Sequence, residues 1–167
     1  MIILGYQGIG KSTMSKDDFK VIDLESSCFT LEGQKINEWY KAYGNLAMHL
    51  SSQGYTVFTA THAPVRDWIA RHNTVYPVGI KIDGMYEEQV MVVVPNLSLK
   101  DQWTDKLWKR FEASRLFKDY CAWSNAKQWY ESNISEIVED AKKYGWKIVV
   151  VPSMEYNLKE LIEKAMK

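Results

Sequence analysis

Short runs of consecutive apolar residues alternate along the chain with longer stretches whose apolar residues recur every third or fourth position. Met1–Leu4, Lys20–Leu24 (KVIDL), Tyr55–Ala60 (YTVFTA), Val90–Val94 (VMVVV) and Trp146–Val151 (WKIVVV) have the length and composition of core strands, and the continuous runs Met1–Leu4 and Val90–Val94 that of strands buried in a parallel sheet. Pro95 and Pro152 stop the last two. A helix begins near Lys11. Another runs from Ile36 to about Gln53, with Trp39, Tyr43, Leu46, Ala47 and Leu50 at helical spacing and Gly54 as its C-terminal cap. Pro64–Arg71 predicts a short helix with proline in its first turn. Ser98 to Asp101 resembles a capping box and opens a helix through about Glu112; a longer one spans about Lys118 to Tyr144 and ends at Gly145. Asn157 starts the final helix. Residues 73–89 (VGIKI, a DG turn, MYEEQ) predict an irregular insertion with a short strand or hairpin. Five core strands alternating with helices predict an α/β layer architecture, a mainly parallel sheet and right-handed crossovers. No repeat or Pro/Ser-rich linker interrupts 1–167, so one domain is expected.

Charge and cysteine content narrow the chemistry. There are 21 basic and 21 acidic residues, so the net charge is zero. Stable nucleic-acid binding is not expected, because duplex affinity leans on many phosphate-neutralising cations. Phosphate chemistry would instead need a locally built anion site. Cys28 and Cys121 stand far apart and outside any CxxC pair, which argues against zinc and for a reducing, cytoplasmic setting, the host's cytoplasm if the protein is viral. No apolar run is long enough for a membrane span, and the MIILG start carries no basic segment of a secretory signal.

A local anion site is present. Gly5-Tyr-Gln-Gly-Ile-Gly-Lys11-Ser12 fits GxxxxGK[ST], the P-loop or Walker A pattern, directly after an apolar strand and before a helix. Glycines at 5, 8 and 10 let the backbone turn its N–H groups, including that of Ile9, toward phosphates. Lys11 can bridge β- and γ-phosphate oxygens, Ser12 can ligate magnesium through its hydroxyl, and Thr13 can reach the α-phosphate. The expected cofactors are ATP and Mg²⁺.

On this motif and the strand–helix order, the chain resembles the small P-loop kinases of the nucleoside/nucleotide kinase group, which includes the nucleoside monophosphate kinases. Only the P-loop is specific at residue level. The resemblance implies a three-layer fold, a five-stranded parallel sheet of order 2-3-1-4-5 with helices on both faces, an acceptor site beside the second strand and an arginine-bearing lid. A GTPase would carry NKxD, which does not occur, and a large ATPase motor a later strand ending in an acid, whereas neither YTVFTA nor VMVVV ends in one. The implied activity is transfer of the ATP γ-phosphoryl group to a small acceptor, a nucleoside monophosphate or deoxynucleotide foremost. The alternatives are a kinase of a sugar or shikimate-like acid, and a nucleotide-binding regulator or host–virus interaction protein without transfer activity.

Candidate acceptor-side residues follow by position. Asp23 and Glu25 close the second strand on one side of an extended chain, at the edge where parallel sheets bind ligands. Asp23 is expected beside the P-loop strand, where it could take a proton from an acceptor hydroxyl or hold magnesium-bound water. His62 and Arg66 follow the third strand and could grip the acceptor. Trp39 and Tyr43 lie in the helix where such kinases build the acceptor pocket. Only four of the basic residues are arginines, all beyond the third strand. Arg110 and Arg115 occupy the place of lid arginines, whose planar forks suit the charge of a transferring phosphoryl group. The lid itself is expected near residues 110–126.

Overall fold

The consecutive apolar residues of Ile2–Gly5 form β1, and Ile2, Ile3 and Leu4 are fully buried, as a run without alternation requires. The structure is a computed structural model that describes residues 1–31, 34–75, 86–87 and 89–167. After β1 come α1 (Lys11–Asp17), β2 (Val21–Asp23), a 3₁₀ turn (Ser26–Phe29) and a ribbon of β3 (Thr30–Leu31) with β4 (Gln34–Lys35). Then follow α2 (Trp39–Ser52), β5 (Thr56–Thr59), α3 (Ala63–His72) and a second ribbon of β6 (Thr74–Val75) with β7 (Tyr86–Glu87). The chain closes with β8 (Val90–Pro95), α4 (Lys100–Ser114), α5 (Phe117–Lys143), β9 (Lys147–Val151) and α6 (Leu158–Met166).

The fold is α/β, with a mostly parallel five-stranded sheet in the order β2-β5-β1-β8-β9. Counted along the whole chain this differs from the expected 2-3-1-4-5, because two antiparallel ribbons intervene that the five-strand expectation did not number. Each ribbon pairs only two residues per strand, too few for an alternating pattern to register. In 73–89, β6 and β7 supply the hairpin pairing; the VGIKI run and the DG turn lie outside the described residues.

Two compact units divide the chain: residues 1–5 with 11–91, and residues 6–10 with 92–167. In the first, β5 pairs in parallel with both β1 and β2. Tyr43 and Ala47 of α2, Val57 and Phe58 of β5, and Val65 and Ile69 of α3 are fully buried there. Gly44 lets α2 approach α3: a Cβ on it would stand 2.6 Å from Trp68 Cδ1. Helix α2 starts three residues later than the periodicity suggested, because Glu38 takes a left-handed turn (φ 53°) at its N-cap.

In the second unit α4 and α5 form an antiparallel pair. Trp103 and Leu107 of α4 are buried, and α5 buries Ala126, Tyr130, Ile134, Ile137 and Ala141, one stripe at steps of three and four. Each such aliphatic side chain contributes roughly 1.5–3 kcal/mol on burial. Trp129 interrupts α5 with φ −129°, ψ 20°, where Ser132 Oγ donates to its carbonyl. The capping predicted for Ser98 belongs to Asn96, whose side chain accepts from the Ser98 N–H and closes a 3₁₀ turn before α4. Asn157 does cap α6, accepting from Glu160 N–H at 3.2 Å. Among the described residues, no helix is long and apolar enough to cross a membrane.

Candidate functional site

Residues 6–10 are held in the second unit by side chains that grip their carbonyls. Trp103 Nε1 donates to the Gln7 carbonyl and Tyr156 Oη to the Ile9 carbonyl, both at 2.9 Å. Gln7 Nε2 donates to the Ala122 carbonyl at 2.8 Å. A trans peptide is planar, so its C=O and the next N–H point in opposite directions. Pinning these two carbonyls therefore turns the Gly8 and Gly10 N–H groups away from Trp103 and Tyr156. Both glycines take positive φ (81° and 96°), which a side chain would resist. At Gly8 a Cβ would also stand 2.8 Å from Leu107 Cδ2. Burial pushes the Tyr156 phenol up to about 12. Lys106 lies 4.5 Å above the Trp103 ring, and burial, then Arg110, lowers its pKa.

In the first unit the loop's flanking residues engage other groups. Lys11 Nζ donates to the Gly5 carbonyl at 3.1 Å, so the side chain folds back along the loop. Ser12 Oγ donates to Asp23 Oδ2 at 2.5 Å. Asp23 Oδ1 is buried without a hydrogen-bond partner. Asp23 does not lie beside β1: β5 stands between the two strands, with Asp23 opposite Phe58 and Leu4 opposite Thr59. The carboxylate reaches the loop's serine because α1, which starts at Lys11, leads directly into β2. Thr13 is exposed in α1.

Around the carboxyl ends of β2 and β5 the side chains form a second group. Tyr43 is fully buried; its hydroxyl donates to the Leu24 carbonyl at 2.6 Å and accepts from the Ala60 N–H at 2.8 Å. It ties two strand ends together rather than facing an open pocket. Trp39 stands edge-on to His62 (5.4 Å) and to Tyr43 (5.5 Å). His62 is open to solvent, yet its pKa is lowered, first by the protein crowding the ring and then by Lys35, Lys11 and Arg66. Arg66 is 3% exposed and donates to the Thr61 carbonyl. Glu25 accepts from Ser27 Oγ at 3.3 Å.

The two candidate lid arginines belong to the second unit. Arg110 pairs with Asp119 at 2.5 Å, and Asp119, itself 3% exposed, also accepts from Ser114 Oγ at 2.5 Å. Arg115 is the left-handed C-cap of α4 (φ 54°), with its guanidinium 5.8 Å from the Phe111 ring centroid. The segment expected as a lid, 110–126, forms the end of α4, a two-residue turn and the start of α5.

Three participants escaped sequence reasoning. Trp103 and Tyr156 meet the loop across 96 and 147 residues, and nothing local distinguishes them from core aromatics. Lys35, on β4, places its ammonium 4.2 Å from the Trp39 ring centroid; one lysine among seventeen gave no signal. Neither the family models nor the curated proteins searched contain a match to this chain.

Proposed function

We propose that the chain is an ATP-dependent phosphotransferase that moves the γ-phosphoryl group to a small acceptor, a nucleoside monophosphate or deoxynucleotide. The observation that carries this reading is the Ser12–Asp23 hydrogen bond, with the second carboxylate oxygen buried and unpartnered. Within the loop pattern, Ser12 is the residue suited to a magnesium ion. Its hydroxyl gives its proton to Asp23, which leaves the oxygen's lone pairs for a metal. A hydroxyl and a carboxylate are hard oxygen donors of the kind Mg²⁺ takes, and a buried orphan oxygen suits an ion's water shell. Ser12 and Asp23 therefore fit the metal. Bound there with ATP, it would offset the negative charge of the phosphates.

The remaining work falls to the chain's own groups. The Gly8 and Gly10 N–H groups, turned outward by the grip on their neighbours' carbonyls, would hold phosphate oxygens. Lys11 would exchange the Gly5 carbonyl for the β- and γ-phosphates. An acceptor oxygen attacks the γ-phosphorus as the bond to the β-bridging oxygen breaks, leaving ADP. With one oxygen bound to Ser12 and the other, buried one assigned to the metal's water shell, Asp23 would not serve as the acceptor's general base. A nucleotide phosphate needs none, because its attacking oxygen is already largely unprotonated at neutral pH. A sugar hydroxyl would need one, so this pairing favours a phosphate acceptor.

The test is ADP formation from ATP and Mg²⁺ across nucleoside monophosphates, nucleosides and small acids, with Lys11→Ala alongside. The expected result is transfer to at least one monophosphate and its loss in the variant. Equal ATP affinity and turnover in both proteins would remove the loop from the reaction.

A further inference from the structure

Beyond the loop, the carboxyl ends of β2 and β5 carry a set of groups that the kinase motif does not require. Lys35 sits on the exposed β4 edge of a ribbon and holds its ammonium over Trp39 at 4.2 Å. The same ammonium donates to the Ser26 carbonyl, which fixes its direction. Trp39 is in turn braced edge-on by His62 at 5.4 Å. Lys35, Lys11 and Arg66 all act electrostatically on the His62 ring. Of the carboxylates at these strand ends, Asp23 is already hydrogen-bonded to Ser12 and Glu25 to Ser27. A solvent-open imidazole, an indole and a directed ammonium beside it suit an anion that arrives with a flat apolar body.

We propose that Lys35, with Trp39 and His62, forms a subsite for the phosphomonoester of the acceptor, and that Lys35 makes the protein select phosphorylated over unphosphorylated acceptors. This rests on the phosphotransferase reading for its purpose, but binding at the subsite does not require transfer. An ammonium has three N–H donors, and the Ser26 carbonyl takes one. Half-buried Trp39, with Lys35 over one face of its ring, leaves apolar surface beside the ammonium for a nucleobase or other planar body. His62 adds a neutral ring nitrogen as a hydrogen-bond partner without repelling the cations beside it.

Calorimetry with the full chain tests this, using AMP, GMP, CMP and UMP, their nucleosides, ribose 5-phosphate and inorganic phosphate as probes. Wild type should bind at least one monophosphate about tenfold or more tighter than its nucleoside, since losing one charged hydrogen bond typically costs about tenfold. Lys35→Ala should remove that discrimination, Lys35→Arg should retain part of it, and the His62 ring signals in NMR should shift only with phosphorylated probes. Tight ribose 5-phosphate binding would show that the phosphomonoester suffices; nucleotide-only binding would assign the flat body to Trp39. If no monophosphate binds, or if Lys35→Ala discriminates as wild type does, the proposal is overturned. Lys35 lies at an exposed edge, and unchanged circular dichroism of the variants would confirm their folding. Lys35-dependent binding without ADP formation would overturn the kinase reading and leave the subsite standing. ADP formation with a neutral acceptor, insensitive to Lys35, would do the reverse.

Discussion

Asp23 is the residue whose surroundings say most about its work. One carboxylate oxygen takes the Ser12 hydroxyl at 2.5 Å and the other is buried without a partner. Of the two roles expected for Asp23, taking the acceptor's proton or holding magnesium-bound water, this contact favours the second within the proposed reaction. Asp23→Asn should raise the Mg²⁺ concentration needed for ATP binding and turnover about 10–100-fold, the usual cost of losing a group that orients a metal ligand. Metal-free ATP affinity should be unaltered; a loss there of the same size would place Asp23 on the nucleotide itself. Tyr43 presents the opposite case, a candidate pocket aromatic that proves structural. Tyr43→Phe would leave the Leu24 carbonyl and the Ala60 N–H unpaired inside the protein. A stability loss of about 1–3 kcal/mol in urea unfolding is expected. An unchanged midpoint would mean that water replaces the hydroxyl and that the tie between the strand ends contributes nothing.

At the scale of elements, the glycine-rich loop depends on the helix packed behind it as much as on its own sequence. Gly8 needs positive φ, and a Cβ there would meet Leu107 of α4 at 2.8 Å. Gly8→Ala combines a left-handed backbone penalty with overpacking, together about 2–4 kcal/mol. Thermal unfolding should show that loss, and ATP binding should weaken because the Gly8 N–H is displaced. At Gly10 the nearest side chain, Leu158, stays at ordinary contact distance of 3.9 Å, so alanine there should cost only the backbone strain. Equal destabilisation at both positions would argue that α4 yields to the new methyl group. The α4–α5 turn is held differently, by Asp119 between Arg110 and Ser114. Arg110 therefore serves its own hairpin in this conformation, and Lys11 is the cation that the proposed transfer depends on.

For the molecule as a whole, the zero net charge conceals three cations, Lys35, Lys11 and Arg66, that act on His62. Its folded pKa lies below the ordinary 6.5, so between the two values the unfolded chain binds a proton that the folded one does not. Stability contributed by the neutral ring is fully present above about pH 6.5 and is lost as pH falls through the folded value. Denaturant midpoints should decline from pH 7 to pH 5, and His62→Gln should flatten that slope. A slope unaffected by His62→Gln would assign the proton uptake to other groups.

Local pattern was enough to determine the α/β class, the five sheet strands to within a residue or two at each end and the GxxxxGK[ST] pattern, because short apolar or β-branched runs, helical spacing and glycine turns are properties of neighbouring residues. Caps were legible only where the partner is three residues away, as at Asn157; at Ser98 the donor and acceptor were assigned to the wrong residue, since Asn96 lay just outside the motif. Only tertiary structure decided that the Asp23 carboxylate reaches Ser12 although β5 stands between β2 and β1. The same is true of the Trp103 and Tyr156 grips on the loop, of Arg110 binding Asp119, and of Lys35 standing over Trp39. Each is a directional contact set by how elements pack, and a hydrogen bond or ion pair leaves no periodic trace in the residues that make it.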